Sequence, residues 1–190
     1  MVGSRSEERA QAVVGGLMAR WQDRDLALVP GTNEAAAGAD LVVVATPWEG
    51  AVGTARQFAG ELSGKIVVSM VNAMTKWGPR FVPLVPSSGS MASAIAGVLP
   101  ASRLAGAFHH LPAGELGDLE RQLEADVMVF SEHRATTDEV IELVGLVPGL
   151  RGIDVGGLGS AMAVEALTAA LVEVNRRYKT HSSVRLTGIE

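Results

Sequence analysis

Two hydrophobic periods alternate along this chain. Ala10, Val13, Val14, Leu17 and Met18 recur at helical spacing with Glu7, Arg9 and Arg20 free to face outward, which predicts a helix over 6–22. Leu26–Val29 is a short apolar run closed by Pro30-Gly31, and Thr32 or Asn33 is placed to cap a brief helix through Ala37. The period then changes. Asp40-Leu-Val-Val-Val-Ala-Thr46 is continuous and β-branched, as a strand buried on both faces must be. Pro47 stops it, residues 48–62 read as a returning helix, and residues 65–70 form a second buried strand. Residues 71–90 carry Pro79, Pro83 and Pro86 and read as an irregular loop. Further strands are expected at 103–108, 126–131 and 150–155, with helices at 90–98, 136–146 and 160–177.

Strand, helix, strand at this spacing is a βαβ unit, so the expectation is an α/β fold with a parallel, doubly wound sheet. In such sheets ligands bind outside the carboxyl ends of the strands. Ser4-Arg5, Thr46-Pro47, Val71-Asn72 and His109-His110 all fall there. At the first of these, Val2-Gly-Ser reads as a strand end running into a helix. Ser4 is expected to cap that helix, with Glu7 completing a capping box. A hydroxyl, free N–H groups and the guanidiniums of Arg5 and Arg9 make a cradle for a phosphomonoester.

Composition narrows the classes. With 190 residues, 47% apolar and 19% charged, the chain suits one globular domain. A net charge of −5 offers no basic surface for nucleic acid. Without cysteine there are no disulfides and no thiolate metal ligands, which fits a cytoplasmic protein. No apolar run is expected to approach the roughly 18 residues of a membrane span, and no signal-peptide segment is evident. His109 and His110 are adjacent, so on a strand they point to opposite faces; with no carboxylate cluster beside them, no metal site is expected. Gly156-Gly-Leu-Gly159 imitates a dinucleotide turn, but the third glycine of the fingerprint falls at Met162; the segment reads as a structural turn with Ser160 as N-cap. No serine has the setting of a hydrolase nucleophile. The helix at 160–177 is apolar almost all round, which predicts burial in the core or against a second subunit.

V-G-S-R-x-E-E-R at the start, T-P-W-E at 46–49, H-x-L-P-A at 109–113 and the terminal R-Y-K-T-H-x-x-x-R-L-T-G-I follow one another in this order. In this the chain resembles the NADPH-dependent reductases of the deazaflavin coenzyme F420, the F420:NADP oxidoreductases, over its whole length. The resemblance implies hydride transfer between NADP(H) and coenzyme F420 on a Rossmann-like sheet. It implies that Ser4, Arg5 and Arg9 read the NADP 2′-phosphate and that Thr46, Pro47 and Trp48 lie near ribose and nicotinamide. By the same likeness His109, Leu111 and Pro112 lie beside the nicotinamide and deazaflavin rings, and Thr168 lines the deazaflavin pocket; Asn72, at a strand end, joins the coenzyme-binding set. No catalytic acid or base is implied, because two stacked rings held at near-attack distance need only orientation and little water.

The family begins with a further strand and a G-G-T-G-x-x-G turn, and the match starts at residue 1. The expectation is therefore a single domain over 1–190 lacking the first β-strand and Gly-rich turn, with residues 160–190 completing the coenzyme pocket and a homodimer as the assembly. Two other readings stay open at this point: a truncated or degenerate relative that binds nucleotide weakly, and an NADP-dependent reductase of another acceptor, as in the metalloreductase and imine- or pyrroline-carboxylate-reductase groups.

Overall fold

The computed structural model describes residues 1–189. Strand β1 (Val2–Ser4) leads into α1 (Glu7–Arg20), then β2 (Pro30–Thr32), α2 (Asn33–Ala37), β3 (Leu41–Val44), α3 (Trp48–Gln57) and β4 (Ile66–Ser69). A hairpin, β5 (Met74–Trp77) and β6 (Arg80–Pro83), precedes α4 (Met91–Val98) and β7 (Arg103–Gly106). The short α5 (Ala113–Leu116), β8 (Ala125–Ser131), α6 (Arg134–Gly145), β9 (Leu150–Asp154) and α7 (Ala161–Tyr178) complete the order.

The main sheet has the order β3-β4-β7-β8-β9. Its apolar runs alternate between two cores, as strand geometry requires. Val44, Val67, Leu104 and Phe130 join one cluster with side chains of α3, α4 and α7. Ile66, Val68, Ala105, Val127 and Val129 join the other with Val140 and Val144 of α6. Each such valine or isoleucine, sealed from water, contributes about 1.5–3 kcal/mol.

The sheet departs from the all-parallel expectation at one place. β8 pairs antiparallel with β7, while β3, β4 and β7 are mutually parallel and β9 is parallel to β8. A parallel neighbour needs a crossover carrying the chain back along the sheet face. Here α5, with only four residues, is the one helix between β7 and β8. The chain therefore stays at the carboxyl end of β7 and re-enters the sheet from that side. Because Gly106 pairs with Phe130, the early part of β8 lies beyond the end of β7, on the ligand side. A Cβ at Gly106 would overlap the Phe130 ring, so only glycine admits that ring.

Other differences are local. The segment 71–90 is not irregular throughout, since β5 and β6 pair around Gly78 at φ +58°. Pro30-Gly31 does not break the chain but forms β2, paired in parallel with β1; proline is tolerated as a strand's first residue. Thr32 caps α2 as expected, accepting from Ala35 N–H at 3.2 Å. Ser4 does not cap α1: Ser6 does, accepting from Arg9 N–H at 3.4 Å, and Ser4 remains the last residue of β1. Ser160 has no capping bond either; its hydroxyl donates to the Val155 carbonyl at 2.6 Å after a 3-10 turn. The helix Leu158–Tyr178, with mean hydropathy 1.2, is long and apolar enough to cross a membrane, which corrects the sequence reading that no run approached that length.

Candidate functional site

The loop after β7 builds the centre of the site. Phe108 takes φ +63°, a left-handed conformation that costs a non-glycine residue roughly 1–2 kcal/mol, and this turns His109 inward. The His109 carbonyl then accepts two side-chain donors. Asn72 Nδ2, from the loop after β4, donates at 2.8 Å, and Thr168 Oγ1, from α7, donates at 2.9 Å. Three separate segments, each singled out by sequence, thus meet on one oxygen.

The His109 ring is only 3% exposed and stacks on Phe130 with centroids 5.5 Å apart. Among the described residues neither of its ring nitrogens has a hydrogen-bond partner, and neither has Asn72 Oδ1. Buried polar atoms without partners are uncommon and call for an explanation. Burial, with a smaller push from His110, lowers the His109 pKa to about 3, so the ring is neutral and offers one donor and one acceptor. The adjacent His110 is buried too, and burial lowers its pKa. Its Nε2 accepts the Met128 N–H at 3.3 Å, which places the proton of the neutral ring on Nδ1.

A second group lies at the end of β1. Arg5 and Arg9 are exposed, and among the described residues neither takes part in an ion pair. With Ser6 acting as the cap, the Ser4 hydroxyl is not spent on α1. Thr46 lines the same cavity as Val2 and Gly3, and its Oγ1 is buried with no hydrogen-bond partner among the described residues. Pro47 is the N-cap residue of α3, and Trp48 opens that helix with its side chain packed on the core. Leu111 packs on the α6-side cluster and Pro112 starts α5. The site residues therefore fall into two groups, one at the end of β1 and one around His109; Thr46 to Trp48 lie between them in the chain.

Helix α7 is held by a carboxylate that sequence reasoning passed over. Glu165, buried, accepts the N–H groups of Met91 at 2.8 Å and Ala92 at 2.9 Å, both in the first turn of α4. Burial raises its pKa, and the two backbone bonds work against that rise. Three residues on, Thr168 reaches His109, so Glu165 fixes the helix that carries the Thr168 hydroxyl. The tail is fixed as well. Asp126, wholly buried, accepts from Arg151 at 2.9 and 2.8 Å and from Leu186 N–H at 2.6 Å. Arg151 also donates to the Leu186 and Ile189 carbonyls, and Asp126 N–H donates to Val184 O. The Arg151 bond holds the Asp126 pKa below the usual carboxylate range. These contacts lie on the part of β8 that extends past β7, so the tail is brought to the ligand side.

Phe130, Phe108 and Asp126 also went unnoticed in the sequence. Phe130 and Asp126 sit in an apolar strand that reads as core, and a positive φ at phenylalanine leaves no compositional trace.

Parallel strands with helices on both faces, and polar groups gathered at their carboxyl ends, make a Rossmann-type fold of the dinucleotide-binding kind. A family model described as NADP oxidoreductase, coenzyme F420-dependent, matches residues 1–73. The F420-dependent NADP reductase of Methanocaldococcus jannaschii is 31% identical over 197 residues, covering 100% of this chain and 88% of its own length. That of Methanothermobacter marburgensis is 25% identical, with 100% and 87% covered. A crystal structure from Arthrobacter sp. FB24, named as a candidate F420-dependent NADP-reductase, superposes with a TM-score of 0.80 at 21% identity, over 97% of this chain and 87% of that one. The chain belongs to the F420-dependent NADP reductase family.

Proposed function

We propose that this protein carries out its family's reaction by positioning alone. It is an oxidoreductase that moves hydride between NADP(H) and coenzyme F420, as membership of the family implies. One observation supports the mechanism above the others. Asn72 and Thr168 converge on the His109 carbonyl, and around them lie the buried, unpartnered Asn72 Oδ1 and both His109 ring nitrogens. Polar atoms left unspent in a closed region fit ligands that bring amide and hydroxyl groups of their own.

When bound, the two coenzymes supply hydride donor and acceptor. What the chain supplies is placement and dryness. Ser4, Arg5 and Arg9 take the 2′-phosphate, with the two guanidiniums as charge-assisted donors. Thr46, Pro47 and Trp48 hold the ribose and nicotinamide end, Thr46 through its free hydroxyl. Asn72 and the neutral His109 offer hydrogen bonds to ring substituents, while Leu111 and Pro112 exclude water. Thr168, anchored through Glu165, sets the deazaflavin side, and residues 160–189 close the pocket. A neutral imidazole suits this work, since an imidazolium beside a nicotinamide ring would oppose the positive charge of the oxidised ring.

The test is an absorbance assay of F420 turnover with NADP, in the native chain and in Thr168→Val. Removing the hydroxyl while keeping the shape should lower kcat/KM about tenfold, equivalent to about 1.4 kcal/mol, with the NADPH Kd unchanged. Equal loss of NADPH affinity would move Thr168 out of the deazaflavin side.

The protein is also proposed to be a cytoplasmic homodimer that binds neither nucleic acid nor membrane. The absence of cysteine fits the compartment. The outer side of α7 supports the dimer: Met162, Val174 and Tyr178 are exposed although the helix is apolar, and its inner side is committed to α4 and His109. Size-exclusion chromatography with light scattering should return twice the chain mass; a monomer removes the idea.

A further inference from the structure

Charge is unevenly placed along this chain. Residues 74–83 and 171–180 hold five of its 16 lysines and arginines, Lys76, Arg80, Arg176, Arg177 and Lys179, but only one of its 21 acids, Glu173. The fold joins the two segments, because β6 packs on α7. Glu173 accepts from the Arg176 guanidinium at 2.9 Å, and after that bond the charges of Arg80 and Arg177 also hold its carboxyl below the usual range. Three guanidiniums therefore crowd one carboxylate. Arg80, Arg177 and Lys179 are exposed, and among the described residues none of them takes part in an ion pair. Like charges brought together in this way repel one another, and an anion from outside relieves the repulsion.

Both carriers of these charges start at the His109 carbonyl. The hairpin follows Asn72, whose amide donates to that oxygen, and its ladder begins beside it, with Leu84 N–H donating to Ala73 O at 2.8 Å. Arg80, four residues from Leu84, stands about 13 Å up the hairpin. Thr168 donates to the same oxygen, and Arg177, nine residues further along α7, stands about 13 Å from it. Two arms of equal length thus leave one point and meet again at Glu173. Glu173 and Arg177 share one side of α7, whereas Val174 and Tyr178 share another, so the stripe offered to a second copy is a different surface. Trp77, opposite Arg80 across the hairpin and 77% exposed, places an apolar plate beside the unpaired guanidinium.

We propose that Arg80 and Arg177, supported by Arg176 and Lys179, bind an anionic chain carried by the deazaflavin ligand, with its phosphate or carboxylate groups about 13 Å from the ring. That span equals about four extended peptide residues, so the chain is an extended one and not a single substituent. Guanidinium suits both anions, since its forked N–H donors match either geometry. The inference rests on the reading that the deazaflavin ring lies at Thr168. The NADP 2′-phosphate is served by a separate group, Ser4, Arg5 and Arg9 at the end of β1.

The experiment compares the native chain with Arg80→Gln/Arg177→Gln. KM and kcat are measured with coenzyme F420 and with 5-deazariboflavin, whose ring carries an uncharged side chain. The double variant should raise KM for F420 about tenfold at low salt, with kcat and the NADPH Kd within about twofold. KM for 5-deazariboflavin should move less than about twofold, and rising ionic strength should weaken F420 binding more steeply in the native chain than in the variant. An F420 KM that does not change overturns the proposal. So does an equal rise for both deazaflavins, since the arginines would then serve the ring. Calorimetric titration with tripolyphosphate and with a pentaglutamate peptide identifies the anion: binding of either that is lost in the double variant supports the subsite and says which group it takes. If the native chain turns over neither deazaflavin, the reading of the reaction fails, and these titrations alone decide the subsite. Binding of neither anion, or equal binding by both proteins, then overturns it.

Discussion

Replacing Arg5 and Arg9 together by alanine should weaken NADPH binding on the order of 100- to 1000-fold and leave NADH binding nearly unchanged. Each guanidinium is exposed and, among the described residues, outside any ion pair, so a phosphate faces no intramolecular competitor for it. Hydrogen bonds to charged groups contribute about 1.5–3 kcal/mol each; two exposed ones in the lower half of that span, about 3–4 kcal/mol together, give the stated range at about 1.4 kcal/mol per tenfold. The folded state should not suffer: both side chains are exposed and outside the core, and the α1 cap comes from Ser6. Salt supplies a second check. Charge-assisted contacts at the surface weaken as the Debye length shortens, so the native chain should lose NADPH affinity with rising ionic strength more steeply than the double variant. Calorimetric titration of both dinucleotides at two salt concentrations measures all of this. Equal losses for NADPH and NADH would show that the arginines serve the shared part of the dinucleotide, not the 2′-phosphate.

That prediction draws on residues legible in the sequence, and the reason is local. Val2-Gly-Ser4 followed by a charged helical start specifies a strand end and a helix within a few residues. The same holds for β3, whose continuous valines fit a buried strand and little else. What escaped depends on tertiary placement. Pro30-Gly31 looks like a breaker until β1 lies beside it. The antiparallel β8 has the composition of a parallel strand, and only the missing crossover reverses it. Glu165 reads as one acid on an apolar helix, and nothing in its neighbours announces that α4 will aim two N–H groups at it. At the site, Asn72, His109 and Thr168 are three separate signals in the sequence. Their meeting on one carbonyl spans 37 and 59 positions of chain, beyond the reach of any spacing argument.

Acid should unfold this protein earlier than its carboxylates alone would require, and His109 should be the main cause. Its pKa is lowered from 6.5 to about 3 by burial, with His110 adding to the shift. In the unfolded chain the same ring titrates near 6.5. Between those values the unfolded state binds a proton that the folded state refuses, so stability is full above pH 6.5 and falls as pH drops towards 3. Each pH unit in that window costs about 1.4 kcal/mol, so by pH 4.5 the group should remove on the order of 3 kcal/mol. In His109→Leu that slope disappears, because leucine has no proton to bind in either state. Leucine also leaves the two unpartnered nitrogens out of the core, so the variant should be no less stable than the native chain at pH 7 and more stable at pH 4.5. Urea denaturation at both pH values gives the comparison. His110, also lowered by burial, remains in both proteins and cancels in the difference. If the two proteins lose the same stability between pH 7 and 4.5, His109 must be charged or solvated in the fold. Its ring nitrogens would then not be the unspent groups around which the coenzyme site has been read.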